Sequence, residues 1–465
     1  MSDFQAGAAT RDIMPTPEMV NNSLHACMTV RVHETGSPLR VKALALRRGR
    51  LTVLIAQLDL ISVSRQQAEA MRRRIAEATG IDAERIVICA SHTHSSPRME
   101  PLEGPHPFFD FVAGRLLEAA KAAVASLQPA RIAHGTTYAV GASFNTRYPM
   151  PDGSVKYTRD FREGLSSGKV IDPRLTVLRV DDLGGRPIAG WVWFAAHPAC
   201  VIFDAPISAE YPGYMADRLS ETVAGGAPVL FGYGDSGDVN CIPMFGQESD
   251  SRHVGLQLAA LAGSLFDSLR TRPPERLAWH AGEAELPMDL PPSIQSLDAD
   301  IAAVEAFTLA LDRDPSLEWV LGINCKKDWP AEKKKAHVAG LAQWARLMKQ
   351  ALAAGRTFPG SWRVPLASLV IDDLGIVFYG GEALTRIGLK LAAESPLRQT
   401  LLTTICNGND AYIGLAEDRR AGGYETYTSV RYFLLAEGVR PLPYAPEAGD
   451  RLVEACLASL ASAAD

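Results

Sequence analysis

The amino-acid sequence predicts an α/β protein in which a mixed β-sheet core is flanked by helices. Short apolar runs alternate with helical patterns along most of the 465 residues, which is typical of this fold class. Several runs also come in pairs joined by short turn sequences, and such pairs form antiparallel hairpins. Because hairpins are antiparallel whereas helical crossovers join parallel strands, the sheet should contain both kinds of pairing.

The individual elements follow from apolar periodicity and from turn and capping residues. A hairpin is predicted over 41–46 and 51–58. A helix is predicted over 64–79, because Ser64 and Gln67 have capping-box spacing and Gly80 supplies a stop. The other predicted elements are a buried strand at 85–90, a helix at 108–127, a hairpin of 175–180 with 187–195, a strand at 228–232 between helices near 211–223 and 252–270, a hairpin of 366–371 with 376–379, a helix at 383–395 and a strand at 399–405.

One segment, residues 293–356, differs from the rest because it is charged and amphipathic. It contains predicted helices at 301–311 and 331–354 and the basic run Lys333-Lys334-Lys335, which is typical of a solvated helix face. We predict one large domain over 1–465, with 293–356 as a helical insertion and a candidate lid.

Composition and charge exclude several classes of protein. The formal net charge of -6, from 47 basic and 53 acidic residues, argues against nucleic-acid binding by phosphate neutralisation. The start of the sequence has no export-signal pattern, and the most apolar stretch, 191–203, is shorter than the ~20 residues needed to span a bilayer. We therefore expect a cytoplasmic protein without stable membrane association that acts on a small molecule. The sequence does not indicate its oligomeric state.

The cysteines are odd in number, scattered along the chain and without a Cys-x-x-Cys pair. This pattern argues against a disulfide framework and against a thiolate zinc site, so we expect buried free thiols. The cysteines are Cys27, Cys89, Cys200, Cys241, Cys325, Cys406 and Cys456.

Polar clusters follow directly after five of the predicted strands. Since a rigid sheet positions the loops at its strand ends, we expect these clusters to converge on one rim and form a binding site. Their glycines are interpreted as tight turns, because no Walker motif is present and the Gly-x-Gly-x-x-Gly spacing at 232–237 is not followed directly by a predicted helix. The Gly-x-Ser-x-Gly match at 164–168 does not follow a predicted strand, as a nucleophile elbow must, which argues against a serine hydrolase. The clusters are 91–97, His197-Pro198, 234–240, Gly380-Gly381-Glu382 and 407–412.

A pair of histidines begins the first of these clusters. His92 and His94 are two residues apart, so both side chains can face the same side of an extended segment. With His197 and the carboxylate of Glu382 they form a candidate metal site, and nitrogen and oxygen ligands suit zinc. A hydrogen-bonded core histidine is the alternative for each. The other histidines are interpreted as structural or surface residues, and they are His25, His33, His106, His134, His253, His280 and His337.

Seven short motifs occur in an order that points to a protein family. They are 6–15 (AGAATRDIMP), 90–95 (ASHTHS), 145–147 (NTR), 194–198 (FAAHP), 237–240 (GDVN), 380–382 (GGE), and 407–412 (NGNDAY) with the later Tyr424-Glu425. In this order they resemble the N-terminal catalytic domain of the neutral/alkaline non-lysosomal ceramidases. The resemblance extends to about residue 425 and indicates a short bacterial-type member rather than a true ceramidase.

The resemblance implies a zinc ion held by His92, His197, Glu382 and Tyr412. It also implies that His94, Arg147 and Tyr424 surround the scissile carbonyl. Zinc lowers the pKa of bound water to about 7, so the implied reaction is attack of metal-bound hydroxide on the amide carbonyl of an N-acyl small molecule. Tyr424 or Arg147 would stabilise the oxyanion, and His94 would give a proton to the leaving amine.

Asn240 departs from the family pattern, which has a serine at this place. An amide can hydrogen-bond an oxyanion but cannot act as a hydroxyl nucleophile, so we count Asn240 among the candidate catalytic residues. The sequence also ends where the family's C-terminal β-domain would begin and has no basic amphipathic helix for docking to a membrane. We therefore expect a water-soluble substrate. Two alternatives stay open: the same zinc site hydrolysing an ester, lactone or glycoside, and a non-catalytic binding protein.

Overall fold

Two β-sheets packed face to face form the centre of the protein, and helices cover their outer faces. The computed structural model describes residues 3–20, 30–99, 107–202, 205–325, 327–435 and 438–464. The larger sheet has eight strands and the smaller one four. Side chains from both sheets meet in one buried apolar cluster, which includes Trp191 and Trp193 from the larger sheet and Leu369 and Phe378 from the smaller. The predicted α/β class with mixed pairing is confirmed.

The eight-stranded sheet is mixed, because the strand pair at each edge is parallel whereas all the pairs between them are antiparallel. In spatial order its strands are Val229–Tyr233, Pro187–Phe194, Arg174–Asp182, Gln128–Tyr138, Phe4–Asp12, Arg40–Arg48, Leu51–Leu58 and Ile86–Ala90. The first two strands of this order are parallel, and so are the last two. The loops that leave the two edge strands carry two of the five polar clusters singled out in the sequence, 91–97 and 234–240.

The four-stranded sheet starts with a long antiparallel pair, Leu277–Pro287 and Ser361–Ile371. It continues through the antiparallel strand Leu374–Tyr379 to the parallel strand Gln399–Thr403. The predicted helical insertion leaves and re-enters this sheet between its first two strands. Whether the chain forms one domain with an insertion there stays a prediction.

Helices cover the outer faces of the stacked sheets. Arg65–Thr79, Pro107–Ala125, Glu210–Thr222 and Glu248–Ser268 pack on the larger sheet, and Ala448–Ala464 packs on the smaller one. The remaining helices and helical turns are Pro17–Val20, Ala83–Arg85, Phe161–Ser166, Ile294–Ala310, Ala331–Ala353, Thr385–Glu394, Ala416–Arg420, Tyr424–Thr428 and Ser429–Phe433. Short paired strands are Val30–Thr35 with Ala205–Ile207, Ser143–Asn145 with Val239–Cys241, Arg147–Pro149 with Val155–Tyr157, Trp319–Val320 with Ile323–Asn324, and Glu382–Ala383 with Tyr412–Ile413.

Local signals in the sequence predict helix ends and hairpins well. The Ser64 side chain accepts a hydrogen bond from the Gln67 backbone, the Gln67 side chain accepts one from the Ser64 backbone, and Gly80 ends the helix with a φ of 73°. Each of the three predicted hairpins is present as an antiparallel pair. The second sheet was not predicted, because strand patterns do not say which strands share a sheet.

A central strand, Phe4–Asp12, also escaped the sequence patterns. Its middle residues are small rather than strongly apolar, and helix Pro107–Ala125 lies directly against it. A Cβ placed on Gly7 would overlap the carbonyl oxygen of Ala123. The small side chains therefore serve close packing of a helix on a strand, which a hydrophobicity pattern does not reveal.

Three residues named in the sequence analysis, His25, Cys27 and His106, lie outside the described residues. Among the helices that the structure describes, none combines the length and the apolar character needed to cross a membrane.

Candidate metal centre

Side chains from four of the five predicted loop clusters lie together in the folded chain. The ring centroids of His92 and His197 are 4.9 Å apart, and His94 lies 4.9 Å from His92 and 5.7 Å from His197. Glu382 and Tyr412 are direct partners in a short parallel strand pair, which brings these two residues side by side. The predicted convergence of the loops is therefore present.

Two imidazole nitrogens lie close to one carboxylate oxygen of Glu382, and a phenol oxygen lies close to one of these nitrogens. Nε2 of His92 lies 3.2 Å from Oε2 of Glu382, and Nε2 of His197 lies 3.3 Å from the same oxygen. The phenol oxygen of Tyr412 lies 3.4 Å from Nε2 of His197. His92, His197 and Glu382 are buried, whereas Tyr412 and His94 are partly exposed residues, although Nε2 of His94 is itself buried.

Backbone carbonyl groups fix the tautomer of both buried imidazoles. Nδ1 of His92 lies 2.6 Å from the carbonyl oxygen of Ile61, and Nδ1 of His197 lies 2.7 Å from that of Ser236. A carbonyl only accepts, so each Nδ1 carries the proton in a neutral ring and each Nε2 presents a lone pair. Histidines that bind metal are oriented in this way by their surroundings.

The arrangement of these atoms fits a divalent metal ion. Nε2 of His92 and Oε2 of Glu382 are buried and make no hydrogen bond within the described residues. Ligand atoms around a tetrahedral zinc with bonds of ~2.0–2.1 Å are about 3.3 Å apart, which is close to the separations of 3.2 and 3.3 Å found here. Lone pairs that face one another at this distance repel unless a positive charge lies between them, so the residues suit a cation.

A second set of donors overlaps with the first. The ligand atoms of His92, His94 and His197 lie within 4.8 Å of one another, so these three imidazoles could also hold an ion. His92 and His197 belong to both sets. The sets differ in whether Glu382 and Tyr412 or His94 complete the site.

The electrostatics of the centre reflect the crowding of charged groups. Burial by itself raises the pKa of the Glu382 carboxyl, but the neighbouring His92 and His197 outweigh it and the net shift is downward. Burial and the Glu382 charge raise the pKa of Tyr412 well above its usual value, so its phenol keeps its proton unless a cation is near. Burial, followed by His92 and His197, lowers the pKa of His94 well below its ordinary value.

Comparison with solved structures identifies the fold. The chain is similar to the neutral ceramidase from Pseudomonas aeruginosa, with a TM-score of 0.68 and 15% identity over 98% of this chain and 74% of that one. The chain has the neutral ceramidase fold. A ceramidase complexed with C2 gives a TM-score of 0.67 and 16% identity at the same coverage. The resemblance seen in the motifs is thus confirmed at the level of the fold, although neither family models nor curated proteins give a match by sequence.

In this ceramidase-like fold, Arg147 supports the segment that carries Tyr424. Its guanidinium donates to Oε2 of Glu425 at 2.7 Å and to the carbonyl oxygens of Asp418 and Gly422, both at 2.9 Å. The first two bonds are buried and the third is partly buried, and their acceptors lie on both sides of Tyr424 in the chain. The Tyr424 ring lies 5.7 Å from the Tyr412 ring. The contacts of Arg147 therefore favour positioning of Tyr424 over direct contact with a substrate.

Asn240 lies beside the loop that carries His197 and is not among the residues whose atoms converge on Glu382. It is the bridge partner of His197, and its side chain is buried with Oδ1 making no hydrogen bond in the described chain. Burial is the main cause that raises the pKa of the nearby Tyr157, and a hydrogen bond with Asn240 is a smaller effect that opposes it. Asn240 thus lies next to His197 in the fold and near the phenol of Tyr157.

Glu210 was missed in the sequence and ties two loops of the centre together. Its Oε1 accepts hydrogen bonds from the backbone of His94 at 3.1 Å and from the Ser95 hydroxyl at 3.0 Å. Its Oε2 accepts from the backbone of Cys200 at 2.8 Å and of Val201 at 3.3 Å. Burial raises the pKa of this carboxyl well above its usual range. A glutamate at a helix start gives no sign of this role in the sequence.

Unusual backbone conformations concentrate at the centre. Non-glycine residues with positive φ include His92 at 66°, Glu210 at 52°, Asn407 at 56° and Ala411 at 60°. Such conformations cost roughly 1–3 kcal/mol each and persist where the surroundings impose them, which is common at functional sites. At Gly237 a Cβ would lie 3.1 Å from the Tyr412 ring, so the loop after strand Val229–Tyr233 approaches through glycine, as the sequence predicts.

Proposed function

We propose that the protein is a metal-dependent hydrolase that cleaves the amide bond of a small N-acylated molecule. The observation that carries the proposal is the convergence of the donor atoms of His92, His197 and Glu382 beside the partly exposed residues Tyr412 and His94. The fold shared with neutral ceramidase supports an amide as the bond that is cleaved. When bound, a zinc ion would polarise the carbonyl and lower the pKa of water to about 7.

The chain's own groups have separate roles in this proposal. Tyr424 donates a hydrogen bond to the carbonyl oxygen as negative charge develops there, and loss of such a donor commonly costs about 3 kcal/mol. Partly exposed His94 takes a proton from the attacking water and gives it to the departing amine. Arg147 holds Tyr424 in place through Glu425. Tyr412 and Glu382 serve with His92 and His197 as the ligands.

The helical insertion is proposed to select the substrate. The Tyr424 ring packs against the insertion's apolar cluster, and the side-chain amide of Asn324 donates to the Tyr157 carbonyl at 3.1 Å. The guanidinium of Arg159 lies 5.2 Å from the Trp329 ring, so the insertion contacts the wall of the centre. Trp329→Ala should change the ratio of kcat/KM between short and long acyl chains without changing metal content. Leu309→Ala, at an exposed position on helix Ile294–Ala310 of the insertion, is the control.

A reconstitution experiment tests the hydrolase proposal. The purified protein is stripped with a chelator, reloaded with zinc, and assayed on matched chromogenic amides and esters of N-acyl amino acids. We expect turnover of amides that disappears on stripping and returns with the metal. Full activity in protein shown to be metal-free by elemental analysis would refute metal dependence, and failure to turn over any substrate class would favour a binding protein.

Ester or lactone hydrolysis is a second candidate reaction, and Asn240 favours it. A position that carries serine in the ceramidase family here carries an amide, which cannot relay a proton to a leaving amine. Esters release an alcohol and depend less on such a relay. Cleavage of the esters alone in the same assay would select this reaction, and cleavage confined to glycosides would exclude both. A cytoplasmic location belongs to the proposal and is tested by cell fractionation.

A further inference from the structure

Two pairs of cysteines lie in unusually close contact beside the metal centre. The sulfur atoms of Cys89 and Cys406 are 3.0 Å apart, and those of Cys200 and Cys241 are 2.9 Å apart. All four residues are buried. Non-bonded carbon atoms already prefer about 3.5–4.0 Å, and sulfur is larger, whereas a disulfide bond measures about 2.05 Å. In both pairs the sulfur atoms are therefore closer than in an ordinary van der Waals contact, and a small movement would bring them to bonding distance.

The backbone around Cys89 and Cys406 has the geometry of a cross-linkable pair. The Ala90 amide donates to the Ile405 carbonyl and the Asn407 amide donates to the Ile88 carbonyl, so Cys89 and Cys406 face each other as a non-hydrogen-bonded antiparallel pair. In such pairs the Cα atoms are about 4.5 Å apart, which lies within the ~4.4–6.8 Å range of disulfides. The side-chain contact thus agrees with the backbone.

The second pair follows from the pairing of His197 with Asn240. These two residues form a parallel bridge, and Cys200 and Cys241 follow them in the chain. The Glu210 carboxylate fixes the backbone of Cys200, and Cys241 ends the short strand Val239–Cys241. Cys325 and Cys456 make no sulfur-to-sulfur contact in the part of the chain that the structure describes, so they are internal controls.

We propose that Cys89 with Cys406 and Cys200 with Cys241 form disulfides when the chain meets a small-molecule disulfide such as oxidised glutathione. One cysteine thiolate attacks a sulfur of the oxidant and releases one small thiol, which leaves a mixed disulfide. The second cysteine then displaces the other small thiol as the protein S–S bond forms. Each pair loses two protons and two electrons, and the oxidant is reduced to two thiols.

The cross-links would join segments that carry the metal centre. Cys89 precedes His92 and Cys406 precedes Tyr412, so the Cys89–Cys406 bond would join the loop that carries His92 to the loop that carries Tyr412. The Cys200–Cys241 bond would join the loop that carries His197 to the short strand Val239–Cys241, which carries Asn240. Burial raises the pKa of the Cys406 thiol, so oxidation of the folded protein should be slow and should accelerate when the chain opens. In a reducing cytoplasm both pairs stay as thiols.

Peptide mapping of the full-length protein tests the proposal independently of catalysis. The protein is equilibrated in glutathione buffers of rising oxidised fraction, after brief unfolding and refolding, then acid-quenched and alkylated in denaturant. We expect linked peptides Cys89–Cys406 and Cys200–Cys241, with Cys325 and Cys456 alkylated throughout. Alkylation of all four paired cysteines at every ratio, or links between other cysteines, would overturn the proposal.

Variants and melting curves distinguish the two bonds. Cys89→Ser should abolish the first link and leave the second, while Cys456→Ser should leave both. The oxidised wild type should melt at a higher temperature than the reduced form, and the difference should vanish with reductant. A melting temperature that does not respond to oxidation would contradict cross-linking of these segments. Because mapping of the wild type needs no variant, a poorly folding variant does not affect the main result.

Discussion

Oε2 of Glu382 lies 3.2 Å from Nε2 of His92, and in the neutral tautomer that donates from Nδ1 to Ile61 neither atom carries a proton. Two electron-pair donors are stable at this separation in a buried site only when a positive charge lies between them. The relationship joins two segments that follow strands of different sheets, Ile86–Ala90 of the larger sheet and Leu374–Tyr379 of the smaller one. It is the physical basis for the expectation that metal and fold are coupled at this centre.

His92→Ala should remove both metal and turnover. The change deletes one donor that belongs to both candidate ligand sets, and the remaining groups cannot complete the coordination. We expect the metal-to-protein ratio to fall from near one to near zero and amide hydrolysis to fall at least 10³-fold, because the chemistry depends on the ion. Elemental analysis and initial rates measure the two effects.

His134→Ala is the matched control for that experiment. His134 bonds to Gln399 and Asp373 on the sheets, away from the centre. The His134→Ala variant should therefore keep its metal content and its activity. Equal metal content in the two variants would exclude His92 as a ligand.

Glu210→Gln should weaken metal binding although Glu210 is not a proposed ligand. An amide cannot accept all five of the hydrogen bonds that the carboxylate receives from the loops that carry His92, His94 and His197. Loss of such supporting bonds commonly lowers metal affinity about 10–100-fold. Titration with a competing chelator measures the affinity.

Glu248→Gln provides the comparison for Glu210→Gln. Glu248 is near Glu210 but accepts from the hydroxyl of Tyr214 rather than from the histidine loops. Its replacement should leave the affinity unchanged. An equal loss in both variants would indicate a general packing defect.

Arg147→Lys and Glu425→Gln should lower kcat by similar factors. Both break the 2.7 Å ion pair that holds the Tyr424 segment, and a misplacement of about 1 Å can cost about 10²-fold in rate. The double variant should be no slower than either single one, because both changes disrupt the same support. If Arg147→Lys is much slower than Glu425→Gln and the effects multiply, Arg147 contacts the substrate directly.

His337→Phe should make the protein more resistant to acid. Burial, with smaller effects of Arg159 and Lys333, lowers the pKa of His337 to about 3, against about 6.5 in the unfolded chain. The native state therefore binds fewer protons, and stability that is complete above pH 6.5 is lost as the pH falls toward 3. The wild type should lose up to roughly 2–3 kcal/mol more than the variant between pH 6.5 and 4.5.

Urea unfolding at a series of pH values measures this difference. His337 packs at ring distances of 5.2 Å from Trp329 and 6.0 Å from Tyr432, so a ring of similar size preserves the contacts. Parallel pH profiles for variant and wild type would show that His337 does not titrate in this range.

Much of the local structure is predictable because its causes are local. Ser64, Gln67 and Gly80 define a helix within one short segment, and the hairpins need only two neighbouring apolar runs and a turn. The strand Phe4–Asp12 was not predictable, because its small residues have meaning only against the helix that covers them. The insertion was visible as a change of composition, although its contact with Tyr424 was not.

The sequence by itself determined the residue types of the site, since His92, His197, Glu382 and Tyr412 stand in ordered motifs that end strands. Tertiary structure decided which atoms of these residues meet, which nitrogen of each imidazole carries its proton, and that Glu210 joins the histidine loops. It also brought together two buried free thiols that are 317 residues apart, Cys89 and Cys406. A motif gives the residue types along the chain. The direction in which an imidazole lone pair points and the contact between two sulfur atoms depend on the pairing of strands that are distant in sequence.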